Sequence, residues 1–177
     1  MIQPGDVVFI MHHDSKLSKL IAWFMRSKWS HSALVVDVSE SGEIWLSETT
    51  DTQIAHGRFS SYLNDPACTL EVLSPIGVSR ADLFAGIAEA ENNTGRIYAY
   101  WQLLSLAVVC IGERLGLRLP NVLPFGFVCN SHVLDAVQAY PIAPLHGVKP
   151  QSIHTERMYS LMRGASSWRT VFEKKKR

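Results

Sequence analysis

Three side chains lying far apart in this 177-residue sequence have the types needed for covalent acyl chemistry: a cysteine, a histidine and a glutamate. Cys129 follows the apolar stretch Phe125, Phe127 and Val128 and stands where a helical pattern begins, with Val133, Ala136, Val137 and Tyr140 at i, i+3, i+4, i+7 and Pro141 ending the run. Unpaired N–H groups and the positive end of the helix dipole favour a thiolate at that position. A thiol with a reference pKa of about 8.5 is only a few per cent ionised at neutral pH. Lowering it by about two units, or about 2.7 kcal/mol, makes the thiolate dominant, and an adjacent imidazolium supplies much of that. A free cysteine buried as a small core hydrophobe is the other reading of Cys129, and position alone leaves both open.

His31 opens the stretch Ser32 to Val38, which reads as a strand. Its alternate neighbours Ala33 and Val35 are apolar, so the imidazole shares their inward face at the end of the sheet. Glu43 to Thr49 reads as the partner strand of an antiparallel hairpin, joined by Ser39-Glu40-Ser41-Gly42, and there Ile44 and Leu46 share a face with Glu48. A carboxylate beside the imidazole across the hairpin fixes its tautomer and supports an imidazolium. A buried structural hydrogen bond between His31 and Glu48 satisfies the same spacing.

Other groups compete for these roles. His132, three residues after Cys129, is a second candidate base. Asp37 and His56 are alternative orienters, Asp37 on the His31 face but near the far end of its strand. His12 and His13 are adjacent, so regular geometry points them apart and they cannot both chelate one ion; they read as loop residues at a cleft edge. The cysteines Cys68, Cys110 and Cys129 lack zinc-site spacing, so neither a disulfide framework nor a structural zinc site is expected.

The elements that position these residues read as follows. Pro4-Gly5 turns into a strand at Asp6 to Ile10. Leu17, Leu20, Ile21 and Phe24 then form one helical stripe, with Lys16, Lys19 and Arg26 toward water and Asp14 or Ser15 as N-cap. Short strands near Gln53–His56 and at Thr69–Leu73 extend the sheet, and Pro75-Ile76-Gly77 ends it. Helices are expected at Ala81–Glu91, at Tyr100–Leu115 and from about Gln151 to Met162, with a loop from Pro120 through Gly126. The apolar run Leu103 to Ile111 falls well short of the roughly 20 residues of a membrane span. Trp23, Trp29, Trp45, Tyr98, Tyr100 and Trp101 are expected in core or cleft wall. Residues 1–168 make one domain, and 169–177, ending in Lys174-Lys175-Lys176-Arg177, a solvated basic tail. With 47% apolar and 19% charged residues the chain is globular rather than disordered, and 17 basic against 16 acidic residues give no field that would draw nucleic acid.

Taken together, these motifs resemble the NlpC-like cysteine peptidases of the papain-like superfamily, in their circularly permuted, YiiX-like branch. Pro4-Gly5-Asp6-Val7-Val8-Phe9 is similar to the family's PGD-plus-strand signature and Ser30-His31-Ser32-Ala33-Leu34-Val35-Val36-Asp37 to its histidine strand. Leu46-Ser47-Glu48-Thr49 resembles the strand of the orienting glutamate. Phe127-Val128-Cys129-Asn130-Ser131-His132-Val133 is similar to the cysteine helix, placed after the sheet in the permuted order. The chain departs from the pattern at Asn130 and Ser131, where Ser and an acidic residue are usual, and at Ala33, where glycine is common.

The resemblance implies an α+β, permuted papain-like fold with an antiparallel sheet packed against helices. It implies a cysteine hydrolase in which Cys129 attacks an amide or ester, His31 is base and then acid, and Glu48 holds His31. The Cys129 N–H, and less directly the Asn130 side chain, would meet the oxyanion, with Asp37 and His132 as further supporting residues. No metal or organic cofactor is required. Peptidoglycan stem peptides are the implied substrate, a lipid-directed amidase, thioesterase or acyltransferase is the alternative enzyme, and a non-catalytic component of a phage-like particle is the alternative to an enzyme. The start Met1-Ile2-Gln3-Pro4-Gly5-Asp6 lacks the regions of a signal peptide. The expectation is therefore cytoplasmic synthesis, with delivery to the wall by a holin, a virion or a secretion system.

Overall fold

The chain enters the fold through a turn that needs glycine. Gly5 has φ of +93°, and a Cβ there would meet Leu83 Cδ2 at 2.6 Å and the Tyr140 hydroxyl at 3.1 Å. The Gly5 N–H donates to Val35 O and the Val35 N–H donates to Asp6 O, both at 2.8 Å, while Tyr140 Oη donates to Gly5 O at 3.2 Å. Asp6 is fully buried and accepts from the Gln3 N–H; burial pushes its carboxyl up to about 6 against that bond. The motif thus ties the start of the sheet to the end of the cysteine helix. Gly5→Ala is expected to lower stability by about 1–3 kcal/mol, read as a lower urea midpoint. An unchanged midpoint would mean that the turn carries no such constraint.

The computed structural model describes residues 1–97, 108, 111–112, 115–117, 129–142, 144–150 and 153–176. Strands β1 (Val7–His12), β2 (His31–Val38), β3 (Ile44–Thr49), β4 (Ile54–Arg58), β5 (Cys68–Pro75) and β6 (Trp168–Lys174) form one antiparallel sheet in the order β4-β3-β2-β1-β5-β6. The helices are α1 (Lys16–Phe24), α2 (Phe59–Leu63), α3 (Arg80–Asn92), α4 (Cys129–Val137) and α5 (Thr155–Gly164). Alternation along the strands makes two apolar faces. Val7, Phe9, Leu34 and Leu73 pack with Val133, Leu134 and Val137 of α4 and Met158 and Met162 of α5, whereas Val8, Ile10, Ala33, Leu46 and Leu70 lie on the other face with Phe59 of α2. The architecture is α+β, as expected.

Several elements differ from the sequence reading. The α1 stripe exists, capped by Ser15, whose Oγ accepts from the Ser18 N–H, but of this helix only Ala22 is buried and Leu17 and Leu20 are each 49% exposed. A period of 3.6 specifies an apolar face but not what covers it. Helix α2 carries no strong periodic signal in its five residues. The expected basic tail is instead largely β6, paired with β5 along Pro75↔Trp168 to Leu70↔Lys174, and Lys174 Nζ donates to the carbonyls of Tyr62 and Asp65. Alternating Trp168, Thr170 and Phe172 favour a strand more strongly than the adjoining lysines oppose it. The last helix begins at Thr155. The expected helix Tyr100–Leu115 falls largely, and the loop Pro120–Gly126, the stretch Phe125 to Val128, Cys110 and Gln151 wholly, outside the described residues. No helix among the described residues is long and apolar enough to cross a membrane.

Candidate active site

His31, at the start of β2, stands opposite Ile10 of β1, and Ala33, its next neighbour on the same face, stands opposite Glu48 of β3. Glu48 is therefore one diagonal step from His31, a span that long side chains bridge. His31 Nε2 lies 2.8 Å from Glu48 Oε2, and the Tyr62 hydroxyl donates to that same oxygen at 2.6 Å. Burial would raise the Glu48 carboxyl, but the His31 hydrogen bond and charge, helped by Tyr62, hold it below its ordinary value. Tyr62 comes from α2, and nothing in its sequence surroundings marked it as part of the site.

Cys129 is the first residue of α4, which packs on the opposite face of the sheet from Ala33 and Leu46, and the thiol meets the His31 ring where β2 begins. With Nε2 committed to Glu48, Nδ1 is the ring nitrogen left to face the thiol. Burial alone would push the thiol up, but the hydrogen bond and charge of His31, with the backbone N–H groups of Ser32 and Asn130, outweigh it and hold the thiol below its ordinary range. Burial pulls the imidazole the other way, and its bonds to Cys129 and Glu48 outweigh that and raise it. The result favours a thiolate beside an imidazolium backed by a buried carboxylate. Such a group is able to attack a carbonyl and to hand a proton to the leaving group.

The other candidates take different positions around this group. Asn130 Nδ2 donates one of its two N–H groups to the Ile153 carbonyl, and its Oδ1 lies 3.7 Å from Cys129 Sγ, which holds the amide beside the thiol. His132 turns into the core, with Nε2 2.9 Å from Ser47 Oγ. Burial, then the nearby His31 charge, lowers it to about 4 and keeps it neutral. Asp37 is exposed and pairs with Trp45 beyond a bulge after Val35, at the far end of β2 from His31. That bulge breaks the odd-number alternation on which its assignment to the His31 face rested. His56 pairs with Glu91 at 2.8 Å on the surface, and His13 Nε2 lies 2.8 Å from Thr69 Oγ1.

Cys129, His31, Glu48 and Tyr62 open onto a cleft of about 460 Å³ whose walls include Ile10, Leu17 and Ile21. His12 reaches the same cleft and belongs to a second group. His12 Nε2 lies 2.9 Å from Asp65 Oδ2, the Cys68 thiol donates to that oxygen at 3.5 Å, and all three ligand atoms fall within 4.8 Å of one another. Cys68 is fully buried, and burial, then the Asp65 charge, pushes its thiol up to about 11. Cysteine spacing gives no sign of this cluster, because the β1–β5 pairing sets His12 opposite Cys68.

No protein-family model and no curated protein matches the chain. Among solved structures it is similar to the crystal structure of the metalloprotein YiiX from Escherichia coli O157:H7, DUF1105. The match covers 97% of this chain and 97% of that one with a TM-score of 0.56 and 17% sequence identity. At that identity the likeness is one of architecture: the chain has a YiiX-like α+β fold.

Proposed function

We propose that this chain is a cysteine hydrolase of the permuted papain-like kind, cleaving an amide bond through an acyl-enzyme. The observation that carries the reading is His31, bonded at 2.8 Å to a buried Glu48 and lowering the Cys129 thiol at the wall of an open cleft. Cys129 Sγ adds to the substrate carbonyl, and backbone N–H groups at the start of α4 meet the oxygen that becomes negative. His31 gives its proton to the departing amine as the C–N bond breaks. It then takes a proton from water, whose oxygen displaces Sγ and frees the acid. Peptidoglycan stem peptides are the substrate class the family resemblance favours.

Purified wall sacculi and stem peptides provide the test, with release of new amino groups as the readout. Wild type is expected to release them and Cys129→Ala to lose at least about 10³-fold in rate. Equal release by both proteins would end the reading. One observation favours a second substrate class: Leu17 and Leu20 of α1 are each 49% exposed, and Leu17 and Ile21 line the cleft, an apolar approach suited to an acyl chain. Turnover of acylated lipids with inert sacculi would move the assignment to a lipid-directed amidase, thioesterase or acyltransferase. Inert behaviour toward both, with a Cys129 no more reactive than Cys68, would make the chain a structural component.

A further inference from the structure

We propose that His12, Asp65 and Cys68 form a binding site for a divalent transition metal of the zinc class, at the edge of the hydrolytic cleft and without use of Cys129 or His31. The three donors converge from the end of β1, the loop before β5 and the first residue of β5. Metal–ligand bonds of about 2.0–2.3 Å place neighbouring tetrahedral ligands roughly 3.3–3.6 Å apart. Two of the three pairs, 2.9 Å for His12 Nε2 to Asp65 Oδ2 and 3.5 Å for Cys68 Sγ to that oxygen, are near this spacing, and the third lies within 4.8 Å, so side-chain shifts admit the ion. One imidazole, one carboxylate and one thiolate select zinc or cobalt over magnesium or calcium, which prefer oxygen alone.

The surroundings fit this use. Asp65 Oδ1 accepts from the Ala67 N–H at 2.8 Å, which fixes the carboxylate and leaves Oδ2 for the ion. The His12 and Asp65 side chains are 36% and 31% exposed, so an ion enters from solvent against the buried thiol and keeps one position for water. Loading has one local cost. A ring bound through Nε2 carries its proton on Nδ1, whereas Nδ1 now accepts from the Ser15 N–H at 3.2 Å. Ser15 is the N-cap of α1, and both Ser15 and Leu17 line the cleft, so the ion also readjusts the first turn of that wall.

The test is a cobalt(II) titration of the full metal-free chain, read by the thiolate-to-cobalt charge-transfer band in the near ultraviolet. One equivalent is expected to raise the band in wild type and in Cys129→Ala alike, and Cys68→Ser to abolish it. His12→Gln and Asp65→Asn are expected to weaken binding at least about tenfold. His12→Gln also secures the result should Cys68→Ser fail to fold, since its ring is partly exposed. No band at stoichiometric cobalt, or a band that survives Cys68→Ser, overturns the site. Because neither Cys129 nor His31 takes part, either outcome leaves the hydrolase reading to its own assay.

Discussion

Iodoacetamide at neutral pH is expected to label Cys129 quickly and Cys68 hardly at all, and His31→Ala to slow the labelling of Cys129 at least about tenfold. The two thiols are both buried, at 7% and 0% exposure, so accessibility alone does not order them so strongly. Their neighbours differ in sign. Cys129 faces an imidazole that outweighs the cost of burying a thiolate, whereas Cys68 faces the Asp65 carboxylate, which adds to that cost and helps push its thiol to about 11. Without His31, burial at Cys129 is left opposed by the Ser32 and Asn130 N–H groups. The pH at which labelling is half-maximal therefore moves upward in His31→Ala. Mass spectrometry of the labelled peptides across pH checks both the rate and the midpoint, and an unshifted midpoint would remove His31 from the mechanism.

Gly57→Ala is expected to slow Cys129 labelling by about tenfold, one pKa unit of lost interaction, although residue 57 touches neither Cys129 nor His31. Gly57 sits on β4 opposite Leu46, and the Glu48 carboxylate lies across it. A Cβ there would overlap Glu48 Oε1 and stand 2.8 Å from its carboxyl carbon, so the carboxylate has to shift, and the shift is expected to loosen its Oε2 bond to His31. The diagnostic is a double-mutant cycle. In a Glu48→Ala background no carboxylate remains to be displaced, and adding Gly57→Ala is expected to change the labelling rate less than about twofold. A full tenfold effect in both backgrounds would mean that the substitution acts through the strand itself rather than through Glu48.

The parts of this arrangement set by alternation were readable in advance. Val35, Ala33 and His31 share a face, as do Leu46 and Glu48, and pairing the two strands brings the imidazole to the carboxylate. Alternation failed at Asp37 because a bulge inserts a residue that no composition rule announces. Tyr62 and Gly57 escaped notice for a different reason. Their roles depend on what lies over them in space, and a tyrosine on a five-residue helix or a glycine on an edge strand carries no local mark of it. The His12, Asp65 and Cys68 cluster was hidden likewise, since the register of β1 on β5 makes it and no spacing along the chain does. In β6 the signal was present but the adjoining lysines masked it: Trp168, Thr170 and Phe172 alternate inside a segment whose end is strongly basic.

The order of the parts along the chain bears on when the protein becomes reactive. His31 and Glu48 are on strands made early, while Cys129 and the helix that carries it arrive only after the first five strands of the sheet have been synthesised. During synthesis the imidazole and carboxylate are able to pair, yet the Cys129 thiol that they activate has not been made. Once Cys129 emerges it stays an ordinary thiol until α4 docks and the ring nitrogen reaches it. On the proposed mechanism, activation of Cys129 is therefore a property of the docked fold and not of any segment made before α4.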